Sequence, residues 1–186
     1  MPSVSLTNWR TTRMPSIREI DAQCAASLAL VPPNPRLAEE NLRGYIVLLI
    51  AHLQGCCREL YTESTQVVVS KVRATLRPLF QAQFTAHLGL DHGNPNLHNL
   101  RKDFGRFGFV LNLAADPANP IRLQHLSELN EWRNIVAHHG VIPTSGLPTI
   151  LDVRNWQASC DGLAVSLDGI MYNQLRRLLR REPWPP

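Results

Sequence analysis

Residues 34–60 read NPRLAEENLRGYIVLLIAHLQGCCREL, and this stretch sets the class of the fold. Asn34 is a residue type that opens helices by accepting a bond from a backbone N–H, and Pro35 suits the first helical position. Glu39 and Glu40 favour the early turns, where the peptide dipoles leave a partial positive charge. From there Leu37, Leu42, Tyr45, Ile46, Leu49, Leu53, Cys56 and Leu60 recur every three or four residues. A half-buried strand would alternate apolar and polar residues instead, so the spacing predicts one long amphipathic helix.

The same periodicity extends outward. On the N-terminal side a first helix is expected over about 16–30, ended by Val31-Pro32-Pro33, with residues 1–15 read as a loose arm. On the C-terminal side Val68, Val72, Leu76, Leu79, Phe80, Phe84 and Leu88 carry a second run to a stop at Gly89. Pro78 is expected to kink or split that run, because proline removes a backbone donor and clashes with the preceding turn. Asp91 to Asn96 is rich in turn formers. A further helix starts near 97, with Leu97, Leu100, Phe104, Phe107 and Val110 on its apolar side and Gly105 and Gly108 weakening its end.

Asn119 and Pro120 open a helix over about 120–138. After a loop at Pro143 to Pro148, Thr149 or Asp152 opens a long last helix. Its stripe is Val153, Trp156, Cys160, Leu163, Leu167, Ile170, Met171, Leu175 and Leu178. The densest β-branched run, Val67-Val68-Val69, has helical spacing on both sides. The expectation is an all-α bundle of about five to six helices, forming a single domain over 1–186.

Composition narrows the function classes. A hydrophobic fraction of 44% and a chain of 186 residues suit a globular core. A net charge of +4 permits an anionic partner without requiring one. Four cysteines, Cys24, Cys56, Cys57 and Cys160, lack both metal-ligand spacing and the density of a disulfide scaffold, which points to reduced thiols and a cytoplasmic setting. The longest apolar run, Tyr45 to Ala51, is far short of the ~20 residues that cross a bilayer, so no membrane partner is expected.

Trp132-Arg133-Asn134-Ile135-Val136-Ala137-His138-His139-Gly140 carries the chemistry. Arg133 is a permanent cation whose planar fork of donors matches phosphate oxygens. His138 exchanges a proton near neutral pH, and Asn134, four residues earlier, shares its helical face. A cation, a proton carrier and a positioning amide together suit cleavage of a phosphodiester. No carboxylates at metal-ligand spacing surround the motif, so neither a metal nor any other cofactor is expected. A five-residue step rotates about 140° around a helix, which puts Arg133 and His138 on different faces. Either the long arginine stem swings around the helix, or a second copy of the chain brings its Arg133 to this His138.

The pair, with a polar residue directly after the arginine, resembles the R-x4-6-H signature of the HEPN superfamily. The surrounding order is similar too. Asn94-Pro95-Asn96 and Asp103-Phe104-Gly105 precede Leu129-Asn130-Glu131-Trp132-Arg133-Asn134, and one long amphipathic helix follows, so the resemblance spans roughly 36–181. It implies a dimeric helical bundle acting as a metal-independent endoribonuclease on RNA, often as a toxin or defence effector with an antitoxin or other protein partner. It also implies roles: Arg133 holds the scissile phosphate, His138 is the acid or base, Asn134 is the polar residue after the arginine, and His139 is an alternative acid or base. Members that have lost the chemistry imply a second reading, a non-catalytic module binding nucleic acid or a protein.

Other features have plainer explanations. Basic side chains followed by Gly140 also describe an ordinary helix C-terminus. Arg176, Arg177, Arg180 and Arg181 fit a solvated helix end, and Asp103-Phe104-Gly105 the end of a packed helix. His92 and His98 flank a loop without a ligand cluster to join them. Around the helix at 120–138, Leu126, Leu129, Trp132, Ile135 and Val136 are expected to face the core. Ser127, Asn130, Glu131, Asn134 and His138 are expected on the opposite arc.

Overall fold

The computed structural model describes residues 2–138 and 146–184. His139, Gly140 and the first part of the loop expected at 143–148 lie outside the described residues. The described chain is all-helical, with no strand. In chain order the helices are α1 (Val4–Asn8), a π-helical turn at Trp9–Arg13, α2 (Met14–Leu28), α3 (Pro35–Val69), α4 (Arg77–Thr85), α5 (Gly89–His92), α6 (Leu97–Phe104), α7 (Asn119–Ala137) and α8 (Ile150–Leu179). Six of these have eight residues or more.

α3 is the central element, packed against α1, α2, α7 and α8, while α7 and α8 pack on each other. Its start follows the sequence: Asn34 accepts from the Leu37 N–H at 3.1 Å, with Pro35 directly after it. Of the stripe read from the sequence only Leu37 is exposed; Leu42, Tyr45, Ile46, Leu49, Leu53, Cys56 and Leu60 are buried. Burying each such aliphatic side chain contributes roughly 1.5–3 kcal/mol. On α8 the stripe from Val153 to Leu175 is buried apart from the half-buried Ile170, and Leu178 at the end is exposed. Thr149 and Asp152 form a reciprocal capping box at the start of α8. All four cysteines are buried free thiols.

Besides Val110, which lies past the end of α6 and is exposed rather than on its apolar side, two expectations need correction. Residues 1–15 are not a loose arm. Ser3 caps α1 through its hydroxyl, and its own backbone N–H donates to Asp168 on α8 at 3.1 Å. Glu63 on α3 accepts from the Val4 and Ser5 N–H groups, and the Trp9 indole is fully buried with Nε1 donating to Asp161 at 2.8 Å. Arg13 lies flat on α3 at Gly55, where a Cβ would come within 2.6 Å of its guanidinium.

The second correction concerns the run after α3. Pro78 does not kink a helix; it is tolerated in the first turn of α4, and the chain leaves the helix earlier, at 70–73. α4 buries none of its residues, and Leu76, Leu79 and Phe80 are exposed. Its C-terminal end is what holds it. Tyr61 and Arg106 donate to the Phe84 carbonyl, Arg106 also to Ala86 and His87, and Phe84 stacks on Phe107 at 5.0 Å. Gly89, expected to stop that run, instead begins α5.

Candidate functional site

α7 begins where Asn119 and Pro120 place it and ends at Ala137, with His138 as the C-terminal cap. Leu126 and Leu129 are buried, while Trp132, Ile135 and Val136 are half-buried. Ser127, Glu131, Asn134 and His138 are exposed, as the arc predicts. Asn130 departs from it. It is buried because the segment after α5 folds over this side of α7, and its Nδ2 donates to the Pro95 carbonyl at 3.1 Å and the Leu126 carbonyl at 2.9 Å. Both partners are acceptors, so the amide orientation is fixed.

Arg133 and Asn134 meet at the rim of an open cleft of about 480 Å3. The Asn134 Oδ1 accepts from Arg133 Nη1 at 3.1 Å and from Asn94 Nδ2 at 3.1 Å, tying α7 to the segment between α5 and α6. The rest of the wall is largely carboxamide: Gln54 from α3, with Asn96 and Asn99 at the start of α6. Asn96 caps α6 through the Asn99 N–H at 2.8 Å, and Asn99 Nδ2 donates to the Asn94 carbonyl at 2.9 Å. Among the described residues the cleft has one carboxylate, Asp91, and Arg58 pairs with it at 2.8 Å. No ion pair among the described residues includes Arg133.

This arrangement can hold an anion. A half-buried guanidinium beside a cleft of amides, with the nearby carboxylate already neutralised, favours a phosphate-sized group carrying hydrogen-bonding neighbours. His138 stands apart. It is exposed at the end of α7, its N–H donating to the Asn134 carbonyl at 3.1 Å, and it is not among the residues lining the cleft. Arg133 and Asn134 are thus brought together within the chain, and His138 is not brought to them.

Among the described residues the histidine that does line the cleft is His92, the last residue of α5. In sequence its only signal is its place in Asp91-His92-Gly93-Asn94-Pro95-Asn96, which reads as a turn. His98 lines a separate groove on the far side of Asn130. Asp103 has a clear structural role: fully buried, it accepts from the Gly89 N–H at 2.9 Å and the Leu90 N–H at 2.8 Å, capping α5. Among the described residues no three His, Cys, Asp or Glu side chains group as a metal site, and no helix is long and apolar enough to cross a membrane. Comparison with family models, with curated proteins and with solved structures gives no match.

Proposed function

We propose that the chain is a metal-independent, cytoplasmic endoribonuclease of the HEPN type, active as a homodimer in a toxin or defence role. The observation that carries this reading is Arg133. It lies beside a polar cleft, steadied by Asn134 and without a carboxylate partner among the described residues. A single-stranded RNA phosphate entering the cleft meets that guanidinium, and the amides offer partners to the flanking sugar and base edges.

In the reaction the ribose 2′-hydroxyl loses its proton and its oxygen bonds to phosphorus. The bond from phosphorus to the 5′ oxygen breaks, and that oxygen takes up a proton. The products are a 2′,3′-cyclic phosphate and a 5′-hydroxyl. Arg133 stabilises the charge building on the phosphoryl oxygens, a preorganised electrostatic contribution. His138 is exposed at the C-terminal end of α7, and in this reaction it is the acid that protonates the leaving oxygen. The angular offset between Arg133 and His138 is resolved when a second copy presents its His138 to this cleft.

The test is cleavage of unstructured RNA by purified protein in excess EDTA. Cleavage persists in chelator, and Arg133→Ala and His138→Ala each lower the rate at least a hundredfold. Full activity in both variants refutes the assignment. The offset of His138 from the cleft lining favours one second reading, a non-catalytic module that binds RNA through Arg133. In that case wild type binds RNA, Arg133→Ala weakens it, and neither protein cuts.

A further inference from the structure

Attack by the 2′-oxygen requires a group that removes its proton, alongside the acid that protonates the leaving oxygen. We infer that His92 is that general base, acting in the same cleft and the same chain as Arg133; this rests on the phosphodiester-cleaving reading of the cleft. Three observations support it. First, among the described residues His92 is the histidine that lines the cleft with Arg133, and it is exposed.

Second, its backbone is held on both sides by side chains from other helices. Buried Asp103 on α6 fixes the N–H groups of Gly89 and Leu90. On α3, Gln54 Nε2 donates to the Leu90 carbonyl at 2.7 Å and the Gly93 carbonyl at 3.0 Å, spanning His92. Gly93 itself lies so close to Asn99 that an added Cβ would come within 2.9 Å of Nδ2. A catalytic side chain has to be placed within a fraction of an ångström, and here a four-residue helix is given that rigidity by distant parts of the chain.

Third, the charges around His92 suit a base beside an anion. Among the described residues, the charged groups that line the cleft with His92 are Asp91 on its own helix and Arg133 on α7, and Arg58 on α3 pairs with Asp91. The α6 side contributes carboxamides. The carboxylate is therefore not left free to repel phosphate.

The step balances without any further reactant. His92 takes the 2′-hydroxyl proton as the 2′-oxygen bonds to phosphorus, and protonated His138 gives its proton to the departing 5′ oxygen. Two imidazoles then carry complementary roles, and each must return to its starting form between turnovers.

The experiment compares wild type, His92→Gln and His138→Gln on a short single-stranded RNA, with cleavage measured at saturating protein across pH. Affinity is measured separately on the same oligonucleotide carrying a 2′-deoxy residue at the cut site. His92→Gln is expected to lose roughly 10²–10⁴-fold in rate, with affinity changed less than threefold. A base works only when deprotonated, so wild-type activity rises with pH on its acidic limb; His92→Gln loses that limb and His138→Gln loses the basic one. A His92→Gln rate within twofold of wild type, with the acidic limb intact, overturns this inference and leaves the nuclease reading standing. Absence of cleavage by wild type overturns both.

Discussion

Replacing Asp103 by Asn tests how the cleft is built, whatever reaction it serves. Each carboxylate oxygen of Asp103 accepts one backbone N–H, from Gly89 at 2.9 Å and Leu90 at 2.8 Å, and both Asp103 and Leu90 are fully buried. Asparagine keeps the shape but only one acceptor, and turns an amide donor toward the other N–H. The loss of one charge-assisted bond is worth about 1.5–3 kcal/mol, and the surviving bond weakens toward the roughly 1 kcal/mol of a neutral pair. A net destabilisation of about 3 kcal/mol follows. For a chain of this size that corresponds to a fall in Tm of roughly 6–12 °C. Urea denaturation gives the free energy, and amide hydrogen exchange gives the location: Gly89 and Leu90 should lose protection beyond what the global change explains. A variant within 0.5 kcal/mol of wild type, with both amides still slow to exchange, would refute the claim that Asp103 holds α5 in place.

Three further outcomes are expected. Trp9→Ala should cost about 3–5 kcal/mol by chemical denaturation, since it empties a fully buried site and strips Asp161 of its indole donor; a change below 1 kcal/mol would mean that the N-terminal segment is loosely held after all. Thr149→Ala should cost about 0.5–2 kcal/mol by removing half of the capping box on α8, and an unchanged urea midpoint would argue against it. Asp168 has its carboxyl pushed above the usual range by burial, with the Ser3 bonds opposing the shift. Its contribution to stability is therefore fullest below the ordinary carboxylate pKa of about 4 and is lost as pH rises through the folded value. The stability of wild type minus that of Asp168→Asn should fall as pH rises above about 4, and a flat or rising difference contradicts the shift.

Much of the fold is legible in the chain because its long helices carry their own boundary signals. Asn34-Pro35, Asn119-Pro120 and Thr149 with Asp152 mark the starts of α3, α7 and α8, and the stripes between are long enough for the helical period to stand out. The N-terminal segment is obscure for a physical reason. The π-helical turn at Trp9–Arg13 inserts residues out of phase with a 3.6-residue period, and the segment is held by Glu63, Asp161 and Asp168, far away in sequence. Arg133 and Asn134 announce themselves by type and spacing. Asn130 and His92 do not, because their surroundings exist only once the α5–α6 segment has folded onto α7 and α3. Pro78 illustrates the same limit: proline signals a boundary, but its local chemistry does not say whether a helix ends or begins there.

Gln54, His92 and Arg133 come from three stretches about forty residues apart along the chain, and they share a wall only in the folded protein. Any molecule that settles among them must therefore favour the folded over the unfolded chain, whether or not it is transformed. At a hundred times its dissociation constant such an occupant adds about 2.7 kcal/mol, enough to raise the melting temperature by roughly 5–10 °C. Heating the protein with nucleotides, short RNAs and phosphate in turn would thus reveal what the crevice accepts before any catalytic assay is devised.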